Sequence, residues 1–409
     1  MADSGTGGPV RLRDLYAAYI ACRRGKRQAR NTMAYEARCL DRLIETRDAL
    51  NDRTWRPSRT LAFVVAQPKA REIHAADFGD RVVHHWLVPR LEAWFEPVFI
   101  HDSYSNRRGK GTHAAVDRLQ DFVRRATRNG KLKAYYLQLD IANFFNGIDR
   151  EILYGLIRRR AEKLWHAEKA GAPGASVLPD RHATINFCLW LCRTLLDHDA
   201  GAHAVERGTA RSFAKVPAHK RLKNAPAGIG LPIGNLTSQF FANVYLDRLD
   251  QFVKHELKCR HYLRYVDDFV LVHEDPARLL AWRDAIETFL AESLALRFKA
   301  LSEPVPVGGG IDFLGYVVRR TYLLPRRRVL RQAQARLEGF AAALVRSLPD
   351  GWTIRWAPDV RERLRATWAS TLGHLSHAAS RRQALALWRR LPWARSAFAF
   401  DAGRFRLVN

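Results

Sequence analysis

The stretch Tyr262–Val272, YLRYVDDFVLV, sets two adjacent carboxylates, Asp267 and Asp268, inside an apolar run. Tyr, Val, Leu and Phe favour strands, Asp does not, and neighbouring like charges repel. The run predicts a compact hairpin over His261–His273, bent at the two acids, with something cationic nearby to offset them. A plain Asp-containing turn is the rival reading.

Upstream, YYLQLD (Tyr135–Asp140) reads as a short strand that ends on a third acid. Carboxylates at strand ends suit hard divalent cations, and Mg²⁺ favours oxygen ligands. Two such ions about 3.5–4 Å apart clamp the attacking and leaving oxygens of an in-line phosphoryl transfer.

Composition narrows the partners. Of 409 residues, 68 are Lys or Arg and 41 Asp or Glu, a formal charge of +27. A polyanion is the natural counterweight, and nucleic acid leads because bound Lys and Arg displace condensed counterions from phosphates. The basic residues are spread along the chain, which suits a cleft better than a tail. No run of about 18 apolar residues exists, no basic helix has a clean apolar face, and no apolar leader opens the chain, so no membrane partner is expected. The five cysteines are odd in number and sparse, against a disulfide framework. Cys188 and Cys192 lack a companion pair at zinc-site spacing and read as buried thiols. His84 and His85 read as surface or core histidines.

Helical spacing predicts helices over 11–50, 76–95 (with Pro89 near its end), 114–128, 149–168, 183–197, 238–255 and 277–294. Leu61–Val65 reads as a strand, 101–113 as a loop, and 171–179 as a surface insertion. Residues 207–230 read as a basic, mobile loop, and 311–324 as a second hairpin. The remainder, 326–409, reads as helical, with Trp352, Trp356, Trp368, Trp388 and Trp393 packing its helices together. The plan is α+β with one antiparallel sheet.

Six segments in order carry a resemblance: REIHAADFGDRVVHH from Arg71, HDSYSNRRGKGTHAA from His101, YYLQLDIANFFNGID from Tyr135, GLPIGNLTSQFFANVYL from Gly230, YLRYVDDFVLV from Tyr262 and DFLGYVV from Asp312. This series resembles the ordered blocks of reverse transcriptases over roughly residues 55–320, with a weaker echo at STLGHLSHA (Ser370–Ala378). LPIGNLTSQ is most like the enzymes of diversity-generating retroelements; group II intron and retron relatives usually carry LPQG and a Ser-Pro ending. The resemblance implies a right-hand polymerase with an N-terminal helical extension (1–54), fingers (55–135), a palm (136–325, with insertions near 160–228) and a helical thumb (326–409). It implies an RNA template, a primer extended as cDNA from dNTPs, two Mg²⁺ (Mn²⁺ substituting), error-prone copying opposite adenines and a small basic accessory protein. A cytoplasmic setting in a bacterium or phage goes with it.

The resemblance also assigns roles. Asp140 and Asp267 are metal ligands, Asp268 a partial ligand, and the Ile141 carbonyl assists one ion. Phe145 falls at the steric-gate position, where a ring under the sugar rejects a 2′-hydroxyl; core packing is the alternative. Gly234 and Asn235 form a turn backing the nucleotide, near Gln239. Ile233 replaces a polar Gln, and fewer geometry-sensing contacts weaken discrimination between right and wrong pairs; buried packing is its alternative. Arg107 and Lys110 are expected at the triphosphate, and Arg108, Arg81 and Lys299 at nucleic acid, with solvated basic side chains as the alternative. Two other functions compete: a related reverse transcriptase recruited to phage defence, and an RNA-binding scaffold without catalysis.

Overall fold

A computed structural model describes residues 8–66, 69–169, 181–396 and 398–408; the expected insertion 171–179 and the Trp352 side chain lie outside the described residues. The acids sit on a four-stranded antiparallel sheet in the order Tyr262–Tyr265, Asp268–His273, Tyr135–Asp140, Val305–Pro306. Its residues alternate between two cores. Leu137, Leu139, Phe269 and Leu271 enter one, while Leu263, Val270 and Val272 enter the other. Period-two alternation of apolar residues on both faces explains why the sheet is covered on both sides. Each buried aliphatic side chain contributes roughly 1.5–3 kcal/mol.

The helices Phe78–Phe95, Arg150–Lys169, Arg181–Asp197, Leu236–Gln251 and Pro276–Leu294 line the first core, and the N-terminal helices add Leu15, Tyr19, Tyr35, Leu43 and Leu50 to it. The second face is closed by the helix Thr112–Ala126 and a three-stranded meander, Ile311–Phe313, Tyr316–Val318 and Leu323–Pro325. A separate core, built around Leu337, Leu364, Trp368, Leu372 and Trp393, serves the C-terminal region.

The fold corrects several expectations. The helix expected over 11–50 is three, Leu12–Arg23, Arg30–Glu36 and Cys39–Asn51; the first break holds Gly25 at φ 71°, and the second falls at Arg38, whose backbone is non-helical. Pro89 lies inside Phe78–Phe95, which continues for more than a turn beyond it. The C-terminal region is not wholly helical: it holds the hairpins Val345–Leu348/Gly351–Ile354 and Ala399–Asp401/Arg406–Val408. The acid-bearing sheet is one of several. In another, Thr60–Val65 pairs antiparallel with Arg71–Ala76 and parallel with Ala204–Glu206.

The 207–230 segment is anchored rather than loose. The buried Glu72 carboxylate accepts the Leu222 N–H at 2.8 Å and the Arg221 Nε–H at 3.1 Å. Burial alone would push Glu72 up, but His74, these two donors and their charge hold it down at about 2. Cys188 and Cys192 are fully buried, as expected, and burial raises both thiols.

Candidate functional site

Antiparallel register brings the acids together. Asp140, the last residue of its strand, lies opposite Asp268, the first residue of the next. Residues 136, 138 and 140 share a face with 268, 270 and 272, so both carboxylates leave the same side at the same sheet end. Cβ atoms so opposed lie roughly 4.5–5.5 Å apart. Asp267 occupies the two-residue turn between Tyr265 and Asp268. The other turn residue, Val266, has φ 58°, a left-handed conformation that a β-branched side chain rarely adopts. Such backbone costs about 1–3 kcal/mol and persists only where its surroundings impose it.

The local field is strongly negative. Burial and the charges of Asp140 and Asp267 raise Asp268 to about 7, although the Gln138 amide donates to both its oxygens at 3.0 and 3.2 Å. Burial, then Asp140, raises Asp267 as well, partly offset by Arg71 and Lys299. The expected counter-cation is therefore present. Lys299 Nζ donates to Asp140 Oδ2 at 2.7 Å, and this bond leads in raising the lysine. Backbone pairing places it: Lys299 N–H donates to the Asp140 carbonyl at 2.9 Å, and Ala142 N–H to the Arg297 carbonyl at 3.0 Å. These bonds flank the Ile141–Phe298 bridge and leave the Ile141 carbonyl out of it. Lys299, expected at nucleic acid, instead meets a carboxylate.

Among the described residues no three His, Cys, Asp or Glu side chains form a preassembled metal centre. The chemistry of the set still fits hard cations: three oxygen-donor side chains converge, and the charge of Asp140 raises both Asp267 and Asp268. Asp140, Asp267 and Asp268 would hold such ions, with the Lys299 ammonium yielding at Asp140 and the Gln138 amide at Asp268. The Lys299–Asp140 pair is half exposed on both sides, and such pairs are worth about 0–1 kcal/mol, so displacement is cheap.

A strap at 230–235 joins the Phe145–Ile148 turn to the strand Arg71–Ala76. Gly230 N–H donates to the Ile148 carbonyl at 2.8 Å, and Leu231 N–H to the Phe145 carbonyl at 2.7 Å. On its other side the Ile233 carbonyl accepts the His74 N–H at 2.7 Å. Gly234 is required here: at φ 121° a Cβ would meet Ile73 Cγ2 at 2.8 Å. Phe145 is part-buried, its ring edge-on to the buried Phe144 at 5.4 Å. Ile233 and Gln239 are part-buried as well.

Other expected contacts are turned inward. The Asn235 side chain is buried and accepts the Ala76 N–H at 3.1 Å, so it holds the strap rather than a nucleotide. Arg107 is committed to the protein: it binds Glu96 (2.9 Å), the Ile100 carbonyl (2.7 Å) and the Ser103 carbonyl (3.0 Å). Lys110 donates to the His101 carbonyl at 2.8 Å over the Tyr104 ring, and Arg81 to the Ala76 carbonyl at 2.8 Å. Arg108 is exposed. Loop composition showed cations but not the acids and carbonyls that claim them. Arg71, which faces Asp267 electrostatically, escaped the sequence reading, though it opens the first quoted block.

No family model matches the chain, and no curated protein matches it. Solved telomerase structures are similar to it. Apo telomerase from Candida Tropicalis truncated from its C-terminal domain aligns at TM-score 0.45 and 10% identity, over 65% of this chain and 55% of that one. Telomerase from Candida albicans with a TWJ fragment of telomeric RNA aligns at 0.42 and 11%, over 86% and 61%. Apo telomerase from Candida Tropicalis aligns at 0.45 and 11%, over 83% and 62%. The chain thus spans 55–62% of the length of these telomerase chains. At these values the likeness says nothing of the chemistry, which rests on the chain's own residues.

Proposed function

We propose that the chain is an RNA-directed DNA polymerase that extends a primer by nucleotidyl transfer, with 136–325 as palm, 55–135 as fingers and 326–409 as thumb. The observation that carries this reading is the register that sets Asp140 against Asp268, with Asp267 in the adjoining turn. Asp140 and Asp267 would hold the Mg²⁺ ions, with Asp268, bonded to Gln138, beside them; such ions would lower the pKa of a primer 3′-hydroxyl and offset the charge of the departing pyrophosphate. Lys299, released from Asp140, would serve as a proton donor to the leaving group. Phe145, held through its carbonyl by the strap, packs under the sugar and rejects ribonucleotides.

The RNA template is what the resemblance of the six ordered blocks implies. The LPIGN strap supports the retroelement reading: Ile233 offers no side-chain hydrogen bond to an incoming nucleotide. The setting is then mutagenic cDNA synthesis with a small basic partner protein.

The test is primer extension on an RNA template with Mg²⁺. Wild type extends; Asp267→Asn loses activity by about three orders of magnitude or more and still binds RNA. Equal extension by that variant would falsify the site assignment. Phe145→Ala is expected to admit ribonucleotides, and unchanged selectivity would remove the gate. Sequencing the co-purifying RNA and its cDNA separates a retroelement, with errors at template adenines, from a defence enzyme without them.

A further inference from the structure

Beneath the acid-bearing turn lies a charge completely withdrawn from water. Arg264 is 1% exposed, and its partner Asp250 on helix Leu236–Gln251 is 0% exposed. The guanidinium reaches Asp250 through Nε at 2.8 Å and Nη2 at 2.6 Å, a two-pronged contact. Tyr262 donates to the same carboxylate at 2.7 Å. Burial opposes the arginine's charge, and Asp250 more than compensates, so Arg264 is held above its ordinary range. Its remaining N–H groups reach Asn243 and Ser103, each at 3.3 Å, and the Val266 carbonyl at 2.9 Å.

That last contact is the informative one. The Val266 carbonyl belongs to the peptide plane from which Asp267 hangs. Fixing it fixes ψ of Val266 and φ of Asp267 together. The clamped peptide directly follows the valine that stands at φ 58°. A buried ion pair alone is weak evidence of a stabilising role. One that directs a third donor at a strained turn has a positional use. Asp250 and Ser103 lie far apart in sequence, so the anchor is set by the assembled fold.

We infer that Arg264 is a positioning residue: its guanidinium clamps the Val266–Asp267 peptide and so sets the direction of the Asp267 carboxylate. The inference rests on the polymerase reading for its catalytic consequence, but not for the clamp itself. Only a planar fork serves both Asp250 and the turn; a lysine keeps the charge as a single point.

Arg264→Ala would leave Asp250 unpaired in the core, so Arg264→Lys is the variant to use. Leu43→Ala, fully buried in the N-terminal helix Cys39–Asn51, is the control for general loss of stability. Two readouts are needed: hydrogen exchange of the peptide spanning 262–273, and steady-state primer extension with Mg²⁺. In Arg264→Lys, turn exchange should quicken about tenfold or more. Its kcat should fall roughly 10- to 100-fold with dNTP KM within about threefold. Leu43→Ala should show neither effect. Unchanged turn exchange overturns the clamp; faster exchange with wild-type kcat overturns its catalytic consequence. If wild type extends no primer, the polymerase reading falls, and exchange alone judges the clamp.

Discussion

Among the described residues, three hairpins close through two-residue turns, and two of them do so with opposite chemistry. In Val345–Leu348/Gly351–Ile354 the turn is Pro349-Asp350, followed by Gly351 at φ 149°. Pro pre-sets φ, Asp suits a turn and Gly takes the conformation that other residues resist. In Tyr262–Tyr265/Asp268–His273 the turn is Val266-Asp267, and a β-branched residue takes the positive φ. The first turn follows local preference. The second breaks it, and the buried Arg264 network holds the result in place. Local strain kept by a costly buried support marks where geometry matters more than ease of folding.

The largest expected effect separates the two acids. Asp350→Asn should leave primer extension within about twofold, against the loss of about three orders of magnitude or more for Asp267→Asn. Equal losses would erase the contrast.

Next comes the backbone. Gly351→Val should cost about 1–3 kcal/mol in denaturant unfolding, because nothing crowds that position and only φ is at stake. Val266→Gly trades relief of strain against lost packing and should stay within about 1 kcal/mol of wild type. A Val266→Gly loss as large as that of Gly351→Val would show that the valine turn is not strained.

The smallest effect lies in pH. Asp268 is raised to about 7, so between its ordinary range near 4 and pH 7 the folded chain holds a proton that the unfolded chain has released. Stability must then fall as pH rises through that window. Without divalent ions, wild type should lose on the order of 1–3 kcal/mol relative to Asp268→Asn between pH 4.5 and 8. Mg²⁺ should flatten the difference. Parallel curves without metal would remove the like-charge crowding.

The acid strands and most helices were legible because apolar period and Asp placement are local signals. Arg71–Ala76 was not, since Glu72 and His74 disguise a strand whose charge is answered by Arg221 and Leu222, about 150 residues away. Residue types at the site were legible; partners were not. Arg107 looks free until Glu96 is folded against it, and Asn235 looks like a ligand until the Ala76 amide takes its oxygen. Lys299 shows the converse. Its surroundings resemble no motif, yet strand pairing at Ile141–Phe298 delivers it to Asp140.

The strap has a mechanical corollary. Being stitched on one edge to the Phe145–Ile148 turn and on the other to the Arg71–Ala76 strand, it makes those two segments a single stiff plate. Separating them would rupture several backbone bonds at once. The two segments, about 70 residues apart in sequence, should therefore shift together rather than separately.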